Sequence, residues 1–487
     1  MRTIISHFIL ILIVFLNSLF GQSTFELSID SDKDQKIFSI IELNNSYLLS
    51  GYSYDSNDTL SFGYIVKLDN EGNITDELYL YDIYSNYIFN SHYFNNDIYL
   101  VGSKDFNYPD TISLWLLKLN EDLEIENESY FSLPQGYWYS YMNSIIDSDT
   151  NIVVAGYLTT QLENGTYHHD PGFYKISLNG DSINMKLMVN DIIPMRMVFD
   201  IQESRDSNNY YAYGSRFANI GDGGDRLLLN KEFDSITYVN CANGIYDFYS
   251  PMYLSDTSIV FYGHGNFNNG AEDEVAVSIA KDNMESLYYD HFSRDENMKE
   301  HPLMMNGIDI NDNYIYVGGL SNWNPTNPFY SSHPSWFHIV KYDYELNRVW
   351  EKYFGGDAYY FPYSLKATSD GGCIIVGNRY DGEIQYVRDI YVVKVDSNGL
   401  ITWTQSLNPQ EYKVAVFPNP GKDYLQLHTE LYPANLKLFN IKGQMVLEEE
   451  IRQNTTTIQT QSLSTGTYFW QLIKDGEIKE NGKWINE

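Results

Sequence analysis

A short apolar run closed by glycine recurs seven times in this chain. The runs are YLLSGY at Gly51, IYLVGS at Gly102, IVVAGY at Gly156, YYAYGS at Gly214, IVFYGH at Gly263, IYVGGL at Gly318 and CIIVGN at Gly377. Their spacings are 51, 54, 58, 49, 55 and 59 residues. A period of this size marks a solenoid or a propeller, whose units bury their apolar faces only against their neighbours.

The interior of each unit narrows the choice. Before each glycine-ended run lies another apolar strand and a tight polar turn, as in NNS (44–46), NND (95–97), SDT (148–150) and SDGG (369–372). These residues suit hairpin turns. After each glycine comes a loop of variable length. A third strand follows and carries a lysine, as in YIVKLD, FHIVKYD and YVVKVD, and a fourth ends the unit, as in RVWEKYF and LITWTQSL. No stretch has helical periodicity. Four antiparallel strands per unit and seven units predict an all-β, seven-bladed β-propeller over 22–407, followed by a small C-terminal β-sandwich. Eight blades is the alternative, because FELSI (25–29) adds a strand before the first unit. It is read as a closing strand, without assignment to a blade. The seventh unit, with its Gly-Gly-Asp start, Asp-Gly-Gly turn and Lys-x-Asp-x-x-Gly-x-x-x-Trp close, resembles a repeat common in large secreted bacterial proteins. That resemblance implies the propeller and no particular activity.

The first residues, MRTIISHFILILIVFLNSLFGQS, combine Arg2, nine unbroken apolar residues from Phe8 to Leu16, and a small Gly21. This pattern predicts a signal peptide over 1–21. No later stretch approaches the ~18 apolar residues of a transmembrane helix. The expected chain is therefore exported, with no transmembrane segment. Only Cys241 and Cys373 are present. They fall in the fourth and seventh units, too far apart on a closed ring for a bridge, so two free, mostly buried thiols are expected.

The net charge of −34 excludes nucleic acid as a partner, since phosphate binding needs clustered cations. Residues 413–487 hold 8 Lys or Arg against 9 Asp or Glu, so almost all of the negative charge lies before them. The composition changes at VFPNPGKDYLQL, after a linker at 408–412. Beyond it, YLQLHT, NLKLFN and TYFWQLI alternate apolar and polar residues as half-buried strands do. VFPNPGKDYLQL, LKLFNIKGQMV, LSTGTYFWQLI and NGKWINE together resemble the type A C-terminal sorting domain of the type IX secretion system. The motif positions are Pro418, Asn419, Pro420, Asn440, Gly443, Gly466, Tyr468 and Lys483. Asn440 stands where the family usually has Asp. The resemblance implies that residues 413–487 engage the type IX secretion machinery. It also implies that the mature protein is secreted or attached to the outer-membrane surface.

The longest variable loop, SNWNPTNPFYSSHPSWFHI, gathers Trp323, Phe329, Tyr330, His333 and Trp336 beside three prolines. Planar rings on a stiff loop can stack on sugar rings or grip a peptide. The alternative is that they cap their own blade. In GDGGD, Asp222 and Asp225 could hold a calcium ion. No other cofactor is expected. TYHHDPG places His168, His169 and Asp170 together and reads as a solvated turn. Gly-x-Ser-x-Gly, His-Glu-x-x-His and phosphate-loop motifs are absent. The favoured function is a non-catalytic binding protein for an extracellular glycan or protein. The alternative is a secreted hydrolase that acts on extracellular polymers.

Overall fold

The computed structural model describes residues 23–54, 60–107, 111–162, 164–188, 195–215, 224–241, 245–265, 274–294, 298–311, 313–382, 387–401, 414–417, 421–422, 424–429, 431–474 and 477–486. The signal peptide, the linker, Asp222 and the Pro418-Asn419-Pro420 motif lie outside them, as does the side chain of Cys241. The chain divides into two compact units, Met1–Leu407 and Asn408–Glu487.

The first unit contains seven antiparallel sheets, counted over the described residues: five have four strands, and in the fifth and sixth blades the innermost position is split into two short strands. The first is typical, with Asp34–Glu42 innermost, then Ser46–Tyr54, Ser61–Asp69 and Ile74–Tyr79. Its two middle strands are almost wholly buried and its outermost strand is exposed. Neighbouring blades cover both faces of the middle strands. That is why the sequence there reads as continuous apolar runs rather than as alternation. Asn95 and Asn96 both have positive φ (53° and 66°), the requirement of a two-residue type I′ hairpin.

The repeat glycine has a steric cause. In the first, second, fourth and seventh blades the innermost strand carries an extra residue opposite the repeat glycine, as between Ile37 and Ser39 or between Ile88 and Asn90. Such a bulge bends the strand towards its partner. A Cβ on Gly51 would lie 1.8 Å from the Lys36 carbonyl oxygen, and one on Gly102 would lie 1.9 Å from that of Tyr87. Gly214 meets the Met197 carbonyl at 1.8 Å and Gly377 meets that of Phe361 at 2.2 Å. No side chain fits at these distances.

The bulged positions carry large apolar residues that meet at the propeller axis. Phe38 of the first blade stacks on Phe89 of the second at 5.5 Å and meets Tyr363 of the seventh edge-on at 5.0 Å. Phe199 of the fourth lies 4.6 Å from Tyr249 of the fifth. Phe38 and Phe89 also pack against the cluster that holds Phe199, Tyr249 and Met305. Side chains of the first and second blades reach those of the fourth to sixth only across the axis, so these residues form an apolar plug there.

The lysine of the third strand ties blades together. Lys67 donates to the Glu121 carbonyl at 2.6 Å, Lys175 to Lys231 at 2.9 Å and Lys341 to Ser397 at 2.8 Å. Each acceptor lies in the outer turn of the next blade.

The ring closes with Phe25–Ile29, which pairs antiparallel with Arg388–Val395 of the seventh blade. This corrects the expectation that LITWTQSL supplies the fourth strand there, because the N-terminal strand takes that edge. Phe25, Leu27 and Ile29 are buried in one cluster with Ile37 and Tyr64 of the first blade and Val376 and Val392 of the seventh. Each such side chain contributes about 1.5–3 kcal/mol. Asp34 and Arg388 cross the same seam: Arg388 donates from Nε at 2.7 Å, from its backbone N–H at 2.9 Å and from Nη2.

The second unit packs a three-stranded sheet (Val414–Phe417, Tyr424–Thr429, Thr455–Gln459) on a four-stranded one (Met445–Ile451, Ala434–Asn440, Gly466–Lys474, Glu477–Asn486). Leu425, Leu427 and Ile458 of the first sheet share a core with Leu436, Leu438, Trp470 and Trp484 of the second, as in a β-sandwich. Among the described residues no helix is long and apolar enough to cross a membrane.

Candidate functional site

Trp323, Phe329, Tyr330 and His333 lie in the loop between the second and third strands of the sixth blade, Trp336 opens the third strand, and Trp323 and Phe329 pack against one cluster with Tyr359, Phe361 and Tyr363. Hydrogen bonds hold the loop. Asn322 Nδ2 donates to the Pro334 carbonyl at 2.7 Å, Asn324 Nδ2 to Ser331 Oγ at 3.0 Å, and the Trp323 N–H to the Lys299 carbonyl at 2.7 Å. His333 Nε2 sits 3.0 Å from the Asn322 carbonyl oxygen and Nδ1 sits 3.1 Å from Ser331 Oγ, so its ring serves the loop itself.

The rings differ in what they touch. Trp323 is half-buried, 4.4 Å from the His301 ring and 6.4 Å from that of His264. Its indole N–H is buried without a partner. Phe329 leans over the seventh blade, 5.1 Å from Phe361, with Lys36 Nζ 4.5 Å from its centroid. Tyr330 donates its hydroxyl to Asp34 at 2.9 Å, lies under the Arg388 guanidinium at 4.6 Å and keeps 39% of its surface exposed. Trp336 starts the next strand, and the Arg294 guanidinium stacks on it at 3.8 Å. The loop thus spans the seam between the sixth, seventh and first blades. Much of its aromatic surface is spent on packing, and the edges of Trp323, Phe329 and Tyr330 remain open.

Electrostatics at this mouth follow from burial. Burial and the nearby Arg388 push Lys36 down to about 7, against the pull of Asp34. Burial, reinforced by His264, holds His301 well below its ordinary value, so its imidazole is neutral. Burial pushes the Asp34 carboxyl up, but the hydrogen bonds and charge of Arg388 outweigh it and leave the pKa lowered. The mouth therefore offers rings, the neutral His301 imidazole and a compensated ion pair. Such a surface suits stacking and hydrogen bonding rather than capture of a strong ion.

The remaining candidates fare differently. Asp225 is fully buried and accepts a hydrogen bond from the Tyr238 hydroxyl at 2.6 Å. No group of three or more metal-ligating side chains occurs among the described residues. His168, His169 and Asp170 lie on the strand Tyr167–Ser177, not in a turn. His168 Nε2 is 3.1 Å from Asp170 Oδ1, and His169 Nδ1 is 2.8 Å from Thr159 Oγ1. Pairing with Asn151–Gln161 carries the strand through them. Cys373 is a free, buried thiol.

In the second unit, Asn440 Oδ1 accepts the N–H groups of Lys442 (2.9 Å) and Gln444 (3.1 Å). An aspartate would do the same there. Gly443 has φ 74°, which completes that turn. Gly466 opens a core strand in which Tyr468 donates to the Ser464 carbonyl at 2.7 Å. Lys483 is exposed on the last strand.

Sequence reasoning missed the axial positions, although they leave a mark. A large apolar residue followed by Ser, Asn or Asp occurs at Phe38-Ser39, Phe89-Asn90, Met142-Asn143, Phe199-Asp200, Tyr249-Ser250, Met305-Asn306 and Tyr363-Ser364. The spacings of 51, 53, 57, 50, 56 and 58 residues track the glycine period.

Residues 415–487 match the family described as the secretion system C-terminal sorting domain. No curated protein matches the chain. Among solved structures it is similar to an acylaminoacyl peptidase, at 11% identity and TM-score 0.41, covering 85% of this chain and 59% of that one. The chain thus spans less than two thirds of that peptidase's length. It is also similar to PorZ, a surface component of the type IX secretion system of Porphyromonas gingivalis (10% identity, TM-score 0.25, 93% of this chain and 81% of that one). A third is the β-propeller domain of the trilobed protease from Pyrococcus furiosus (8%, 0.40, 79% and 99%). The C-terminal unit is a type IX sorting domain, and the protein is secreted or held at the outer surface.

Proposed function

We propose that this secreted propeller, delivered by its sorting domain, is a non-catalytic binding protein whose extracellular ligand is a glycan held at the loop-side mouth. The division that goes with this reading is a propeller over 22–407 and a sorting domain over 413–487. One observation carries it. The sixth-blade loop is fixed by its own hydrogen bonds and holds Trp323, Phe329 and Tyr330 beside the axis with their edges open. A rigid aromatic surface loses little entropy when a ligand docks.

The test is a glycan array probed with the mature full-length protein, beside Trp323→Ala and Tyr330→Phe variants. Tyr330→Phe keeps the ring and loses only the hydroxyl bond to Asp34. The expected result is binding to a defined glycan, weakened in Trp323→Ala and largely kept in Tyr330→Phe. Absence of binding across the array would redirect the search to a protein ligand. Turnover of an arrayed polymer would replace this reading with hydrolysis.

A further inference from the structure

On the turn side of the apolar plug the channel changes character. The residue paired with the one just before the repeat glycine is polar: Ser39, Asn90, Asn143, Asp200 and Ser364 in the first to fourth and seventh blades. Three of them are linked. The Asn90 amide donates to Asn143 Oδ1, and Asn143 Nδ2 donates to Asp200 Oδ1 at 3.1 Å. The Ile201 N–H takes the same Asp200 oxygen at 2.7 Å. Among the described residues Asp200 Oδ2 has no hydrogen-bond partner, and it is not among the sealed, unpartnered atoms, so it opens to the space beyond.

That space is a cavity of about 480 Å³, reached from the tight-turn face. Its volume falls in the range of small-molecule sites. Its polar groups include Asn90, Asn143, Asp200 and Ser144, and its aliphatic walls include Ile40, Ile201 and Leu365.

The charges in it are neutral or cancelled. Burial raises the Asp200 carboxyl well above its ordinary value, which favours the protonated acid. Burial pushes the His92 imidazole down to about 4, and its Nε2 lies 2.7 Å from Ser144 Oγ. At the mouth Lys366 pairs with Asp309 at 2.6 Å, and Asp309 also accepts the Ala367 N–H at 2.9 Å. An anion or a cation entering this site would lose its hydration without finding an uncompensated partner.

We infer that this cavity binds a small, neutral, polyhydroxylated molecule about the size of one sugar residue. Amides, a hydroxyl and a carboxyl on one level match its hydroxyl groups, and the aliphatic walls match its C–H faces. The plug separates this site from the aromatic loop, so the inference does not rest on glycan binding there.

The test is calorimetric titration of the mature full-length protein with D-glucose, D-galactose, N-acetyl-D-glucosamine and myo-inositol, beside D-glucuronate and D-glucosamine. The expected result is saturable binding of at least one neutral compound, with the charged pair about tenfold weaker or more. Asn143→Ala breaks the relay and should weaken binding about tenfold. Gln202→Trp, at a half-buried lining position, should block the cavity without touching the relay. Trp323→Ala should leave this binding unchanged. If none of the four neutral compounds binds at millimolar concentration, the inference is overturned. So it is if the charged compounds bind as well, or if binding is lost in Trp323→Ala and kept in both channel variants. If one channel variant fails to fold, the other still separates binding in this cavity from binding at the aromatic loop.

Discussion

Replacing Asp34 by alanine tests the ring closure at its most exacting point. Asp34 is 8% exposed and Arg388 4%. The carboxylate accepts Arg388 Nε, Nη2 and backbone N–H, together with the Tyr330 hydroxyl. Arg388 Nη1 is already buried without a partner. Without Asp34 the guanidinium stays buried at the seam with no counter-charge. Breaking a buried pair from one side costs about 3–5 kcal/mol. The orphaned tyrosine hydroxyl adds about 1 kcal/mol. Removing both charges, as in Asp34→Ala/Arg388→Met, should cost less than Asp34→Ala alone, because methionine fills much of the space without a charge to bury.

The assay is urea denaturation of the mature full-length protein, followed by tryptophan fluorescence, in a double-mutant cycle. The pH dependence has a definite sign. The folded pKa of Asp34 is lowered, so its contribution is complete above the unfolded value of about 3.9 and is lost as pH falls through the folded one. A loss below about 1 kcal/mol in Asp34→Ala would refute the reasoning. So would a double variant as unstable as the sum of the two single ones.

Gly102→Ala should destabilise the propeller by about 2 kcal/mol or more, because its Cβ would lie 1.9 Å from a backbone oxygen. Gly443→Ala has open space and only a left-handed φ to resist it, so about 1 kcal/mol is expected in thermal melts of the same protein. Lys341→Met should cost about 1 kcal/mol in urea, since the Ser397 carbonyl of the next blade loses the lysine but keeps the Trp350 indole N–H at 3.0 Å. Burial pushes the Cys373 thiol up to about 12, so a thiol reagent at pH 8 should label it only as fast as the protein opens. Deleting 413–487 should leave the propeller in the periplasm, and its appearance in the medium would sink the sorting assignment.

The sequence by itself determined the sevenfold repeat, the strand order within the first six blades and the identity of the C-terminal unit. These are local matters. A strand that bulges against its neighbour demands glycine at one position, and Gly51, Gly102, Gly214 and Gly377 record that demand once per turn of the period. The sorting motifs are likewise short stretches whose turns and strands are built from adjacent residues, as Asn440 and Gly443 show.

Tertiary structure decided what depends on residues far apart in the chain. Phe25–Ile29 completes the seventh blade because Arg388–Val395 presents a free edge beside the first blade, and no local pattern says so. Five aromatic residues in one loop read as a ligand platform, but the loop lies against Lys36, Asp34 and Phe361, which take up much of that surface. His168 and His169 read as a turn, and cross-strand pairing with Thr159 and Thr160 made them strand. The dipeptides from Phe38-Ser39 to Tyr363-Ser364 are written in the chain, but their meaning is not. Only closing the ring brings the innermost strands around one axis, with the large residues of six dipeptides in the plug, while Met142 of the third blade packs in the core between the second and third blades.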